Sequence, residues 1–312
     1  KNFNKFIIFS PSYSDTNGGA IVLHKLCHEL NTLGYQAFLY PAYKTWIMHQ
    51  AFWLKPLLSV LWGRIKGSLF RRYKTHDQFN TPVFNGKNKK IDGDFVVIYP
   101  ESVVGNPLNS KYVVRWLLHQ PGYHTGMIGY GNNELYFDYF AFSYDFKLPF
   151  STVSPHRLYL AHLPLDLYNL HDALPESSRS GLAYCLRKGI GRPLVHETDG
   201  AILIDGLPHD EVAKIFKRIK TFISYDTKTA FSMFAALCGA DSVVIPQENV
   251  TMEQWAPDLR EVYGIAYGFE NLDWARSTRK LMADHIEEKN IKTHLQIKQF
   301  INDVNTYFSA TC

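Results

Sequence analysis

Four short constellations in this 312-residue sequence carry residue types able to do chemistry. The first is Ser12-Tyr13-Ser14-Asp15-Thr16-Asn17-Gly18-Gly19, which leads straight into a helical pattern. A helix N-terminus offers N–H groups and a positive dipole end to an anion, and Gly18 and Gly19 let a phosphate approach the backbone closely. The second is Arg187-Lys188-Gly189, a basic pair suited to a multiply charged anion. The third is Ser224-Tyr225-Asp226-Thr227-Lys228-Thr229, in which Asp226 is suited to cap the helix that follows, a role compatible with meeting a ligand, while Thr227 and Thr229 bring hydroxyls suited to phosphate. The fourth is His119, just before Gln120-Pro121-Gly122, with His124 behind it in the Gly-rich segment 121–133. None of these is a G-x-G-x-x-G fingerprint or a P-loop, and none of the four contains an Asp-x-Asp pair of the kind that holds a metal.

The elements that must hold these residues follow from the apolar pattern. Phe6 to Phe9 is a short strand stopped by Ser10-Pro11-Ser12, and Ile21, Leu23, Leu26, Cys27 and Leu30 recur at helical spacing from Ala20 to Leu33. Gly34 ends that helix, and Gln36 to Tyr40 is a second strand stopped by Pro41, so the opening of the chain is a βαβ unit with a parallel sheet. Asp94 to Tyr99, Tyr112 to Leu118, Tyr136 to Ser143 and Leu158 to Leu163 continue as strands. The Pro- and Ser-rich stretch Pro164 to Ser180 marks a boundary. Beyond it, strands at Gly181 to Leu186, Gly200 to Ile204, Thr221 to Ser224 and Asp241 to Pro246 alternate with helices at His209 to Arg218 and Thr229 to Cys238. Charged helical stretches from Trp274 to Asn290 and from Thr293 to Phe308 close the chain. The fold class is α/β, with two Rossmann-like domains.

Composition excludes several classes. At 46% apolar, 15% aromatic and 20% charged, the chain is neither disordered nor a disulfide-stapled miniprotein, and its length suits two domains. The four cysteines lack metal-ligand or paired spacing and read as reduced. A net charge of +4 is too small to indicate nucleic acid as a partner. The excess is local, however: no Asp or Glu occurs between Leu30 and His76, while Lys44, Lys55, Arg64, Lys66, Arg71, Arg72 and Lys74 fall there among Trp, Phe and Leu residues. Lys55 and Arg64 interrupt the apolar run, whereas a membrane-spanning helix needs about 20 predominantly apolar residues. The segment suits either the interface of an anionic membrane or an amphipathic core helix with snorkelling bases. Phe6 to Phe9 is too short for a secretory signal, so a cytoplasmic location is expected, with peripheral attachment to the inner face of the cytoplasmic membrane as its extension.

The stretch from Thr221 to Pro246 resembles the donor-binding domain of GT-B glycosyltransferases of bacterial surface polysaccharide (lipopolysaccharide or capsule) biosynthesis, and is GT4-like. In these an acidic residue opens a helix, and a second one eight positions later precedes an Ala-x-x-x-Gly turn and an apolar strand. Asp226 holds the first acidic position, while Phe234 stands where the family's ribose-holding carboxylate is common. The resemblance implies two domains facing a cleft: residues 1–170 for the acceptor, 171–290 for a nucleotide sugar, and a C-terminal helix, 291–312, packing back on the first domain. It further implies that Gly18 and Gly19 lie across the donor phosphate, that Arg187 and Lys188 grip the diphosphate, that Asp226, Thr227 and Thr229 hold donor sugar or phosphate, and that His119 faces the donor sugar. The reaction expected is hexosyl transfer from a nucleotide sugar to a glycan or lipid-linked glycan, with no cofactor and no metal. With Phe234 in place, Glu248 and Glu253 become candidates for the ribose. An inverting enzyme needs a general base, for which Asp15 and Glu101 are candidates, whereas a retaining one does not. Lys55, Arg64, Arg71 and Arg72 would face membrane or acceptor, and the segment 121–133 could cover the acceptor. A noncatalytic glycan or nucleotide-sugar binder, a peripheral scaffold and a nucleotide-sugar epimerase remain as alternatives.

Overall fold

The computed structural model describes residues 2–15, 17–42, 73–84, 91, 93–139 and 151–310. The basic segment with Lys55, Arg64, Arg71 and Arg72 lies outside the described residues. Contacts divide the chain into two compact units, Lys1–His162 with Ile291–Cys312, and Leu163–Asn290. The division falls just before the Pro- and Ser-rich stretch in which the sequence places it.

In the first unit, β1 (Lys5–Ser10), β2 (Gln36–Pro41), β3 (Phe95–Pro100), β4 (Tyr112–Leu117), β5 (Leu135–Asp138) and β6 (Thr152–Val153) form one parallel sheet in the order β2-β1-β3-β4-β5-β6. Alternate residues of each strand serve opposite faces, and both are buried, as a parallel sheet requires. Phe6, Ile8, Val96, Ile98 and Val114 pack against Leu23, Leu26 and Leu30 of α1 (Gly18–Thr32), whereas Ile7, Phe9, Val97 and Tyr99 pack on the other face. Asn17 caps α1 by accepting from Ala20 N at 3.1 Å, so the helix starts ahead of Ala20, where the apolar pattern begins.

The second unit repeats the plan. Strands β7 (Leu182–Cys185), β8 (Ile202–Leu203), β9 (Thr221–Ser224), β10 (Asp241–Val244) and β11 (Ile265–Tyr267) are parallel in the order β11-β10-β9-β7-β8. Helices α2 (His209–Phe216), α3 (Phe231–Leu237), α4 (Met252–Trp255) and α5 (Leu272–Thr278) accompany them. Both units are therefore Rossmann-like α/β, the fold class expected from the sequence. The chain ends in α6 (Met282–Ala310), a single helix where the sequence suggests a break at 291–292. Its Ile297, Phe300, Ile301, Val304 and Phe308 belong to the core of the first unit.

Two strand assignments change. Leu158 to Leu163 pairs in no strand: its apolar residues fill the core, with Leu158 O accepting from Trp116 Nε1 at 2.9 Å. The run beginning at Tyr136 is strand only through Asp138, and residues 140–143 lie outside the described residues. Cys27, Cys185 and Cys238 are free and buried.

Asp241, the first residue of β10, is buried and takes hydrogen bonds from Arg276 Nη2 at 2.6 Å and Arg279 Nη2 at 3.0 Å. Burial alone would raise its pKa, but these guanidinium bonds outweigh it and hold the carboxyl below the ordinary carboxylate range. A lowered folded-state value gives stability that is present above the unfolded value, about 3.9, and is lost as pH falls through the folded one. Asp241→Asn is accordingly expected to lose roughly 1–3 kcal/mol of stability at pH 7 and to approach wild type in acid, read by denaturation across pH.

Candidate functional site

In a sheet of this order the chain turns in opposite directions from the first strand, so the connections diverge between the first and third strands and leave a crevice outside their carboxyl ends. The first unit has a cavity of about 420 Å³ at that place. Phe9 of β1 and Pro11 just after it, Gly19 and Leu23 of α1, Glu101 after β3, and Leu118, His119 and His124 after β4 line it. The β1–α1 loop is pinned from outside: Tyr73 Oη donates to Ser10 O at 3.1 Å, Lys74 N donates to Ser12 Oγ at 2.8 Å, and buried His24 lies 3.0 Å through Nε2 from Pro11 O. Of the residues singled out in that loop, Gly19 reaches the cavity wall, whereas exposed Gly18 and Asp15 are not among its lining residues. Neither glycine has a positive φ, and a Cβ on Gly19 would meet only ordinary contacts, 3.5 Å from Asn17 Oδ1 and 3.8 Å from Leu118.

Glu101 and His119 stand out in this cavity. Glu101 is 6% exposed, and its Oε2 accepts from Leu118 N at 3.1 Å, with the His119 N–H as a second backbone donor. Burial pushes its carboxyl up to about 7 even though these N–H groups favour the charged form. His119 is half-buried; its Nδ1 accepts from Gln120 N at 2.8 Å, which in a neutral ring leaves the proton on Nε2. The His119 ring lies 4.2 Å from that of Tyr123 and 5.0 Å from that of His124, whose pKa is lowered by desolvation and then by His119. An apolar wall with a carboxyl that changes charge near neutrality and two imidazoles is suited to binding a hydroxylated molecule and moving its proton.

In the second unit the corresponding edge lies at the ends of β7 and β9, where Cys185 pairs with Ser224 and so sets Arg187 and Asp226 on neighbouring strand ends. Arg187 opens the tight turn Arg187–Gly189 with φ of 43°, a left-handed conformation that costs a non-glycine residue energy. Asp205, after β8, holds it there: its Oδ2 accepts from Leu186 N at 3.0 Å and Arg187 N at 2.9 Å. The exposed Arg187 guanidinium lies over the Phe231 ring, 4.8 Å from its centroid, and Lys188 is exposed beside it. The 186–201 connection has no α-helix and is strapped down by Arg192, which donates to the carbonyls of Tyr225 at 2.7 Å, Ile245 at 3.1 Å and Pro246.

Asp226 does not cap α3. It is 5% exposed, its Oδ1 accepts from Lys228 N at 3.0 Å, and the helix begins only at Phe231, because a short carboxylate satisfies the nearest amide first. Thr227 O accepts from Trp255 Nε1 at 2.7 Å, and Thr229 Oγ1 accepts from Phe231 N at 3.3 Å. Phe234 belongs to the core, its ring stacked on Tyr168 at 4.2 Å. Glu248 and Glu253 are both exposed, in the turn after β10 and on α4. Sequence reasoning passed over Asp205, Arg192 and Phe231; the only signal for Asp205 is an acid directly after a short apolar strand, the place where doubly wound folds often keep one. Among the described residues, no group of three or more His, Cys, Asp or Glu side chains could hold a metal, and no helix is long and apolar enough to cross a membrane.

No protein-family model and no curated protein matches the sequence. Among solved structures, the chain is similar to sucrose-phosphate synthase from Thermosynechococcus elongatus, at 9% identity and a TM-score of 0.48 over 97% of this chain and 99% of that one. It is also similar to MurG from Acinetobacter baumannii, at 11% identity and a TM-score of 0.32 over 97% of this chain and 99% of that one.

Proposed function

We propose that the protein is a GT-B glycosyltransferase that moves a hexosyl group from a nucleotide sugar to a glycan or lipid-linked glycan in bacterial surface polysaccharide synthesis. The observation that carries this reading is the Arg187–Gly189 turn. A strained basic residue, kept in place by Asp205 and facing solvent at the point where a doubly wound sheet takes its ligand, is suited to an anionic one. A nucleotide sugar brings about two negative charges in its diphosphate, which must be stabilised as it leaves. Arg187 and Lys188 supply that charge in place of a divalent ion, and Thr227 and Thr229, ordered by the Asp226 turn, add hydroxyls. The cavity of the first unit takes the acceptor; the α1 N-terminus, with Gly19 in the cavity wall and Gly18 exposed beside it, favours an anionic group, and His119 orients a sugar. Lys55, Arg64, Arg71 and Arg72 draw the protein to anionic lipid, where a lipid-linked acceptor is found.

Arg187→Gly tests this cleanly, because glycine relaxes the positive φ while removing the guanidinium. Loss of one charge-assisted contact to a phosphate is worth about 1.5–3 kcal/mol, so donor affinity is expected to fall about 10- to 100-fold in calorimetric titration with UDP- and GDP-sugars, at undiminished thermal stability. Unchanged affinity would remove the assignment. The core position of Phe234, where the family commonly has a carboxylate, favours a noncatalytic binder as the second reading. Such a protein binds nucleotide sugars without consuming them, a scaffold does not bind them, and an epimerase alters the donor without any acceptor.

A further inference from the structure

We infer that the rings of Tyr123, His119 and His124 form a subsite for the second sugar ring of the acceptor, so that the acceptor is a neutral glycan of at least two sugar units. This rests on the reading that the cavity of the first unit takes the acceptor.

Tyr123 has no place in the core. It is 67% exposed, the most of any Phe, Tyr or Trp among the described residues. Its ring nevertheless sits in a cluster: it lies 4.2 Å from the His119 ring and 5.0 Å from the His124 ring, and the two imidazoles are themselves 5.0 Å apart. Exposed Met127 and Ile128 follow on the same segment. An apolar, aromatic patch beside a cavity marks a place where something binds.

The turn that carries the rings is ordered by its own hydrogen bonds. Tyr123 N donates to Gln120 O at 3.1 Å, Gly126 N to Gly122 O at 2.7 Å, and Thr125 Oγ1 to Met127 O at 2.6 Å. Gly122 has φ of 79°, and a Cβ there would stand 3.3 Å from Ile128 Cγ1, so glycine closes the turn without strain. A tyrosine on a fixed turn offers a large contact area at little entropic cost on binding.

His119 and His124 line the cavity, and His124 is also exposed, which puts the cluster at the rim. The volume of about 420 Å³ lies toward the lower end of the roughly 300–1,000 Å³ typical of ligand pockets, room for about one sugar ring. A longer glycan must leave over the rim, and on the β4 side it meets the three rings.

The chemical class follows from polarity and charge. The C–H face of a sugar ring, with its slightly positive hydrogens, stacks on the electron-rich face of an aromatic ring. Exposed Gln120, Asn132 and Asn133 bring amides suited to hydroxyls. No Lys, Arg, Asp or Glu occurs from Trp116 to Asn133. His119 accepts at Nδ1 from Gln120 N at 2.8 Å, as a neutral ring does, and desolvation, then His119, holds His124 below the usual histidine range. Such a segment lacks the basic groups that draw a protein to anionic lipid, and a neutral glycan matches it.

The test uses the full chain without donor. Methyl glucoside, galactoside and mannoside are compared with methyl maltoside, lactoside and mannobioside by NMR titration and saturation transfer. Wild type is expected to bind at least one disaccharide about 10-fold more tightly than its monosaccharide, with strong saturation of the C–H protons of the second ring. Tyr123→Ala should abolish that preference and that saturation, whereas Tyr123→Trp should keep both. The wild-type saturation pattern carries the test even if a variant does not fold. Equal affinity for monosaccharides and disaccharides in wild type, no binding of any glycan, or disaccharide affinity in Tyr123→Ala within about two-fold of wild type overturns the subsite. Loss of cosedimentation with phosphatidylglycerol vesicles in Tyr123→Ala, at unchanged glycan contacts, overturns it in favour of lipid. Consumption of UDP- and GDP-sugars is assayed separately: its absence beside intact second-ring contacts removes the glycosyltransferase reading and leaves the subsite, and its presence without those contacts does the reverse.

Discussion

Arg115→Met is expected to cost the first unit about 3–5 kcal/mol of stability, the range found when one partner of a buried ion pair is removed. Arg115 is 0% exposed on β4 and meets Glu134 twice, through Nε at 2.7 Å and Nη2 at 2.8 Å. Its remaining donors reach Val103 O at 2.5 Å and Gly105 O at 2.9 Å, and the guanidinium lies 4.2 Å from the centroid of Tyr130. Methionine matches the bulk but strands a buried carboxylate and two carbonyls, and each stranded group carries its own desolvation cost. Replacing Glu134 by leucine in the same chain should cost less than the two single changes added together. Hydrogen exchange at the β3 and β4 amides reads the first unit by itself, which a whole-chain melt of two units does not. A functional consequence accompanies the structural one: Val103 follows Glu101 in the cavity wall, so loosening its carbonyl tie should also degrade turnover. Wild-type exchange rates in Arg115→Met would mean that this network does not hold the β3–β4 connection.

What was legible in the sequence is what repeats with a period. The β1–α1–β2 unit announces itself through four apolar residues, a helical apolar stripe, Gly34 and Pro41, and the structure has these elements to within a few residues. Glu101 and His119 were visible as polar residues at strand ends, but nothing in their neighbours says that one carboxyl would be buried without a cation. The failures are local competitions won by something nonperiodic. Asp226 looks like a helix cap, yet its oxygen is taken by the Lys228 amide before any helix starts. Leu158 and Leu160 look like strand because they are apolar, but they are apolar to fill the core around Trp116, not to pair. Asn290 to Thr293 looks like a break between helices, but no Gly or Pro enforces one and α6 continues through it. Asp205 and Arg192 were invisible for a different reason: both act on backbone atoms far along the chain, and a side chain that serves a distant amide or carbonyl leaves no spacing to read.

Gly189→Ala tests whether the basic turn depends on a close approach of two backbones. A Cβ at position 189 would stand 2.5 Å from the carbonyl carbon of Tyr225 and 2.8 Å from its Cβ, closer than real Cβ atoms come to such neighbours. The nearest obstacle is backbone at the end of β9, which Arg192 also grips at 2.7 Å, so it cannot move aside as a side chain could. The turn must therefore move, at a cost of about 1–3 kcal/mol typical of overpacking. Moving it pulls Leu186 and Arg187 from Asp205, releases the left-handed backbone at Arg187 and takes the guanidinium off Phe231. Donor affinity should consequently fall by about as much as in Arg187→Gly, about 10- to 100-fold, although no charged group has been removed. Gly191→Ala is the control. That residue has φ of 91° but open space around its Cβ, so alanine there incurs only a conformational cost of about 1–2 kcal/mol and leaves the turn in place. A loss of donor binding in Gly189→Ala beside near-normal binding in Gly191→Ala would tie recognition to the geometry of Arg187. Equal losses in both would tie it to the general order of the connection between β7 and β8.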